Sequence, residues 1–336
     1  MIKKSIIPSV ILFLVLCLVT GCGVSGDKVR IKGKFKNLQQ TECFVYSEDG
    51  LLPRIDTIHV IDGAFEYECT MGDKAIINFV LPNYTLIPII AEPGQVIKMK
   101  VDAGRLAETE VTGTEENDML TTFRLSNLGK NENDVRMAAA QFIHDNATTL
   151  AALALFRKYY AQVEYLDVRS VQPLLSVLEK AHGKNIQMQN TKAFVEPLLK
   201  TAIGQQIGDF TLETVTGEKL TKTDFDGHPL IICFAAAWNG ETFPMVNKIK
   251  ELSRMEGNTC KAIVIAFDND KKRAQEFFQQ GNSDFPLVCD EKGMDSPLLE
   301  RFGVRYIPGN LIIDRKGVVI ARDLNVDALE QQVRKF

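Results

Sequence analysis

The sequence predicts an α+β chain of several parts: an N-terminal antiparallel β-sandwich or barrel-like domain, a helical middle segment, and a C-terminal α/β domain. Three observations carry this. From Lys28 to Gly113, short apolar and β-branched runs recur between turn signals. From Thr114 to Lys200, apolar residues recur at helical spacing, and from Thr201 onward strand-like and helix-like runs alternate. With 336 residues, 45% of them hydrophobic, the chain can fill more than one core.

The chain opens with a leader. Lys3 and Lys4 precede an apolar run from Ile6 to Val19, broken only by Pro8 and Ser9, that ends in Val19-Thr20-Gly21-Cys22. The run is shorter than the roughly 20 residues that cross a bilayer, and a small residue precedes Cys22, so residues 1–21 read as a secretory signal. The stretch resembles a bacterial lipoprotein signal. That resemblance implies cleavage before Cys22, lipidation of Cys22, and a lipid-anchored tether over residues 22–27. The bland alternative is an ordinary signal peptide with a cysteine beside its cleavage site.

In the β-rich segment, residues 28–113, the runs VRIKGKF, ECFVYSE, RIDTIHV, AFEYECT, AIINFVL, TLIPIIA and VIKMKV read as strands. Asp49-Gly50, Asp62-Gly63, Pro82-Asn83 and Pro93-Gly94 break them. The alternation in Val29-Arg30-Ile31-Lys32 predicts one wet face. Over residues 114–200, Met119, Phe123, Leu125 and Leu128, then Leu150, Leu153, Leu155 and Phe156, then Leu174, Leu175, Val177 and Leu178 predict three or four amphipathic helices. Thr148 and Thr149 are candidate caps, and the apolar stripes read as packing.

From 201 to 336 the order is strand FTLETV, a turn at Thr216-Gly217, strand PLIICFAAA, helix 242–256, strand KAIVIAF, helix 271–280, strand FPLVC and helix 296–302. A hairpin of NLIID and VVIAR over Arg315-Lys316-Gly317 follows, then a last helix over 326–335.

Composition excludes some functions. The 39 basic and 43 acidic residues give a net charge of -4 and a pI near 5.7, which argues against nucleic acid as a partner. Removing residues 1–21 takes only Lys3 and Lys4 from the charges, leaving 37 basic against 43 acidic residues, a net of -6 that does not suggest a polybasic lipid-surface binder. Cysteines stand at 17, 22, 43, 69, 233, 260 and 289, with no CxxC, so neither a zinc ribbon nor a redox pair is read from spacing. A Cys43–Cys69 disulfide is left open. Asp268, Asp270, Asp290, Glu291 and Asp295 follow strands, yet scattered loop carboxylates read as solvated, so neither metal nor cofactor is predicted.

The last 136 residues resemble the extracytoplasmic TlpA-like thioredoxin family, within the redoxin superfamily. The carrying residues are Ile207-Gly208-Asp209-Phe210-Thr211-Leu212 with Gly217, Phe225-Asp226-Gly227-His228-Pro229-Leu230, Ala237-Trp238, Arg301 to Pro308, and Ile312 to Gly317. The resemblance implies a thioredoxin-like α/β domain, a Cys-x-x-Cys after the tryptophan, and a cis-proline loop at Ile307-Pro308 that pairs with an extended peptide. Here Trp238 is followed by Asn239-Gly240-Glu241-Thr242. An amide and a hydroxyl cannot form a mixed disulfide, so the motif is degenerate. The family's buried carboxylate, five residues before the tryptophan, is replaced by Cys233, which reads as packing in an apolar strand.

Asn239-Gly240 reads as a turn or cap, and Thr242 before Phe243-Pro244 as an N-cap. As a nucleophile Thr242 would need a base, and the sequence places none of His59, His144, His182 or His228 beside it; His228 reads as a strand-entry residue. Residues 28 to about 125 resemble the β-rich domain of unknown function found before thioredoxin-like domains in Bacteroidetes lipoproteins, on Ile31-Lys32-Gly33, Ile55-Asp56-Thr57, Asp62 to Phe65 and Val111-Thr112-Gly113. Phe142 to Ala147 resembles the segment between the two domains.

These readings predict an envelope lipoprotein at the outer membrane, facing the periplasm, whose partners are an envelope protein or peptide and the membrane through Cys22. One alternative is a thiol-disulfide oxidoreductase in envelope redox homeostasis that uses cysteines outside the lost motif. Another makes the β domain the working, ligand-binding part.

Overall fold

Eight strands build the front of the chain. The computed structural model describes residues 26–163, 166–255, 259–279 and 285–336, so the leader and the Cys22 expectation lie outside the described residues. The strands are β1 (Lys28–Lys36), β2 (Thr41–Tyr46), β3 (Asp56–Val60), β4 (Ala64–Thr70), β5 (Ala75–Val80), β6 (Leu86–Ala91), β7 (Val96–Asp102) and β8 (Glu110–Thr112). They form two four-stranded sheets, ordered β4-β1-β7-β8 and β3-β2-β5-β6. Period-two alternation turns Ile31, Phe35, Ile97 and Met99 of one sheet and Val45, Ile77, Phe79 and Ile89 of the other into a shared core. The Phe65 and Phe79 rings meet across it at 5.4 Å. The arrangement is a sandwich.

Two details differ from the sequence reading. β1 and β7 pair in parallel, with Ile31 beside Ile97. The chain visits the second sheet between them, so no hairpin imposes the antiparallel direction. β8 has three residues, too few to show alternation. Asp62 and Gly63 both take positive φ, 51° and 71°, as the tight turn into β4 requires.

Five helices follow among the described residues, rather than three or four: α1 (Glu115–Ser126), α2 (Glu132–Asp145), α3 (Leu150–Phe156), α4 (Val168–His182) and α5 (Ile186–Lys200). The apolar positions read from the sequence end at Leu178, so they do not include α5, which lies beyond a three-residue link. Thr149 caps α3 by accepting the Ala152 N–H at 3.2 Å, while Thr148 caps nothing. All seven residues of α3 are buried, so its apolar positions form no stripe. Cys43 and Cys69 are unbonded. Contacts divide the chain into two units, one running to Val163 with Pro173–Thr191 added, the other made of Glu164–Gln172 and Lys192–Phe336.

The second unit contains the hairpin β9 (Thr211–Glu213) and β10 (Lys219–Thr221). Its main elements are β11 (Leu230–Ala235), α6 (Thr242–Ser253), β12 (Lys261–Ala266), α7 (Lys271–Phe278), β13 (Leu287–Val288), α8 (Pro297–Arg301), β14 (Gly309–Ile313), β15 (Val319–Arg322) and α9 (Val326–Val333). The sheet order is β13-β12-β11-β14-β15, with β11 parallel to β12 and antiparallel to β14. Every residue of β11 is buried, as a strand covered on both faces requires. Ile231, Cys233 and Ala235 face a core with Val246 and Ile249 of α6; Ile232 and Phe234 face another with Phe267, Phe302 and Leu311. This centrality fixes where β11 ends and α6 begins.

Candidate functional site

The chain leaves β11 at Ala235 and enters α6 at Thr242, and the turn between them meets the loop before β14. Trp238 donates its indole N–H to the Phe267 carbonyl at 3.1 Å, yet keeps 56% of its surface in solvent. Asn239 accepts the Glu241 N–H at 3.0 Å through Oδ1 and donates through Nδ2 to the Ile307 carbonyl at 2.5 Å. The Ile307–Pro308 peptide is cis. The structure therefore brings Trp238, Asn239, Gly240, Glu241 and Thr242 together with Ile307 and Pro308, while Cys233 lies apart, inside β11.

Thr242 is not the cap. It is the first residue of α6, fully buried, and its hydroxyl accepts the Ala236 N–H at 3.3 Å. Glu241 takes the cap position without a side-chain bond, because Thr242 turns inward toward the end of β11. Glu241, Met245, Tyr306, Pro308 and Leu324 border a groove of about 600 Å³. Phe243 and Tyr306, each about half exposed at 53% and 47%, add apolar surface to this end of the domain. A Cβ on Gly309 would lie 2.6 Å from the Tyr306 carbonyl and 3.2 Å from Asp323 Oδ1, so only glycine fits after the proline. Asn310 is wholly buried and bonds both the N–H and carbonyl of Leu324, at 3.1 and 2.7 Å, fixing one wall of the groove.

The three thiols of the unit are free and buried. Burial pushes the Cys233 and Cys260 thiols up to about 12 and raises that of Cys289. In the first unit burial likewise pushes Cys43 up to about 12 and raises Cys69. His228 is exposed just before β11, its Nδ1 3.3 Å from the Thr259 carbonyl, consistent with strand entry.

One carboxylate departs from the solvated reading. Asp268 is 5% exposed and accepts the Ala237 N–H through both oxygens, at 3.1 and 3.0 Å. Its position two residues beyond β12 places it against the turn that carries Trp238. The sequence signal was available in the apolar run KAIVIAF leading into it, but not the partner. Asp270 caps α7, Glu291 accepts the Lys271 N–H, Asp290 accepts the Ser296 hydroxyl, and Asp295 is exposed. Among the described residues no group of three or more His, Cys, Asp or Glu side chains is disposed to hold a metal.

Desolvation raises the Asp268 pKa above its ordinary value. Folding therefore favours the protonated acid: this stability is full below the unfolded pKa and is lost as pH rises through the raised native one. Asp268→Asn is expected to raise the melting temperature at neutral pH and to leave it unchanged in acid below the carboxylate range. A thermal melt series across pH checks this; equal melting temperatures at neutral pH would contradict it.

A five-stranded sheet with β11 at its centre, a helix starting at its end and a cis-proline loop facing that start define a thioredoxin-like domain. Residues 203–322 match the AhpC/TSA family, in line with the resemblance of the C-terminal domain to the TlpA-like thioredoxin group. Residues 29–120 match a domain of unknown function (DUF4369). The thioredoxin-like protein YneN of Bacillus subtilis is 25% identical over 132 residues, 38% of this chain and 74% of the relative. The thiol-disulfide oxidoreductase ResA of Bacillus thuringiensis is 23% identical over 142 residues, 41% of this chain and 78% of the relative. A crystal structure of a thioredoxin-like protein from Bacteroides caccae covers 66% of this chain and 83% of its own, with 14% identity and a TM-score of 0.47.

Proposed function

We propose that this thioredoxin-like domain is a binding or scaffolding module without redox turnover, recognising an extended peptide or protein segment in the cell envelope. The observation that carries the reading is the pairing of losses and retentions at one place. The two positions that need sulfur hold Asn239 and Thr242, while Tyr306 and the Ile307-Pro308 loop still line a groove and Trp238 and Phe243 stay exposed in the turn and helix start beside the lost positions. Exposed aromatic residues bordering a concave surface are the usual anchors of protein recognition. The lipoprotein signal ending at Cys22 supports an anchored chain, which we assign to the outer membrane facing the periplasm.

In strand addition the loop before a cis-proline offers its N–H and carbonyl to the peptide. Here Asn239 already holds the Ile307 carbonyl. The partner would compete with that side chain, or rely on the N–H and the apolar rim.

Peptides selected from a displayed random library on the full chain, and titrated by the anisotropy of a fluorophore carried on the peptide, test the reading. Trp238→Ala is expected to weaken a selected peptide about tenfold, as loss of an aromatic anchor does. Asn239→Ala is expected to strengthen it by freeing the Ile307 carbonyl. Selection of no peptide, or of peptides indifferent to both substitutions, would remove the assignment. Turnover through another cysteine, the competing reading, is opposed by the raised thiol pKa values.

A further inference from the structure

The outer face of the sheet β4-β1-β7-β8 carries a feature that the groove does not explain. β1 and β7 run parallel in register, pairing Lys32 with Lys98 and Lys34 with Lys100. Their neighbours Ile31, Phe35, Ile97, Met99 and Val101 are buried, so alternation turns all four lysines to solvent. The strands set the four Cα positions in a grid of about 5 Å across and about 7 Å along.

Like charges placed directly opposite one another destabilise a sheet. Nearby on the same face the signs are matched: Arg30 bonds Glu66 and Glu68, and Lys100 bonds Glu110. Lys32, Lys34 and Lys98 have no ion pair among the described residues. Glu66, the register partner of Lys32 on β4, points its carboxylate to Arg30 instead, at 3.1 Å.

We propose that this lysine face lies against an anionic lipid headgroup surface. Charge complementarity is the first argument. The second is reach, and it rests on the Cys22 anchor proposed above. Five residues lie between Cys22 and Lys28, the start of β1, and the six Cα-to-Cα steps cannot extend beyond about 20 Å. A lipid at Cys22 therefore holds this sheet near the bilayer, where each lysine close to an anionic surface is attracted to it. The net charge of the whole chain conceals the patch, because the fold joins two lysine pairs far apart in sequence.

The test uses the chain from residue 22 with Cys22→Ser, so that no lipid is attached, sedimented with vesicles. One set is zwitterionic and the other contains about one-third anionic lipid. Association with the anionic set alone, lost at high salt, is expected. The variant Lys32→Gln/Lys34→Gln/Lys98→Gln/Lys100→Gln is expected to bind about tenfold more weakly or worse.

Lys98→Glu, which sets an opposite charge beside Lys32, is expected to weaken vesicle binding while raising the melting temperature, an effect that misfolding cannot produce. No association at low salt, equal partition of the natural and four-glutamine chains, or binding to a soluble anionic polysaccharide but not to vesicles would each overturn the proposal. Mass spectrometry of the mature N-terminus tests the anchor separately. Salt-sensitive vesicle binding by a chain that proves unlipidated in cells would support the face while removing the tether.

Discussion

Replacing Asn239 and Thr242 together by cysteine is expected to give the chain disulfide-reductase turnover, which is not expected of the natural sequence. Position 239 is partly exposed and position 242 is buried, so the first sulfur would be open to a substrate disulfide and the second placed to resolve the mixed disulfide. Position 242 opens α6 and position 239 lies in the turn just before it, where the positive end of the helix dipole favours a thiolate. Asn239→Cys also releases the Ile307 carbonyl. Because exchange requires a sulfur nucleophile, the expected change is from background to a rate proportional to enzyme. Reduction of a protein disulfide by the double variant and by each single variant checks it. An inactive double variant that remains folded would mean that the scaffold, and not only the motif, has lost the chemistry.

Phe234→Ala is expected to be the most damaging single substitution near the site. The ring is fully buried in the central strand, 6.3 Å from the Phe267 ring and 6.0 Å from that of Phe302. It also lies against Gly309, after the cis-proline, with Cδ2 3.4 Å from where a Cβ would stand. Truncation removes its burial and leaves a cavity, a combination that costs about 3–5 kcal/mol. Denaturant unfolding of the second unit should show that loss. A change below about 1 kcal/mol would mean that the surrounding rings collapse into the space.

The strands were legible because their chemistry is local. AFEYECT became β4 residue for residue, and Asp62-Gly63 became the turn before it. The buried central strand was legible from Leu230 to Phe234, since only a strand covered on both faces tolerates such a run. What was not legible depends on groups distant in sequence. Nothing beside Asn239 announces that its amide will reach the Ile307 carbonyl 68 positions away. Asp268 looked like one of several loop acids until the end of β12 was seen to bury it against Ala237. The parallel pairing of β1 with β7, and with it the lysine grid, is likewise a property of topology. Local pattern carried the elements, whereas the site depends on which elements meet.

The proposed binding role requires that the chain has no working sulfur centre. Its most direct test is disulfide-reductase turnover by the natural chain, before and after native-state alkylation, with the accessible thiols counted. Turnover at the background of the reductant alone is expected, with Cys233, Cys260 and Cys289 unmodified until the chain is unfolded. Turnover above background that alkylation abolishes would contradict the account and make the protein a thiol-disulfide enzyme acting through a cysteine outside positions 239 and 242.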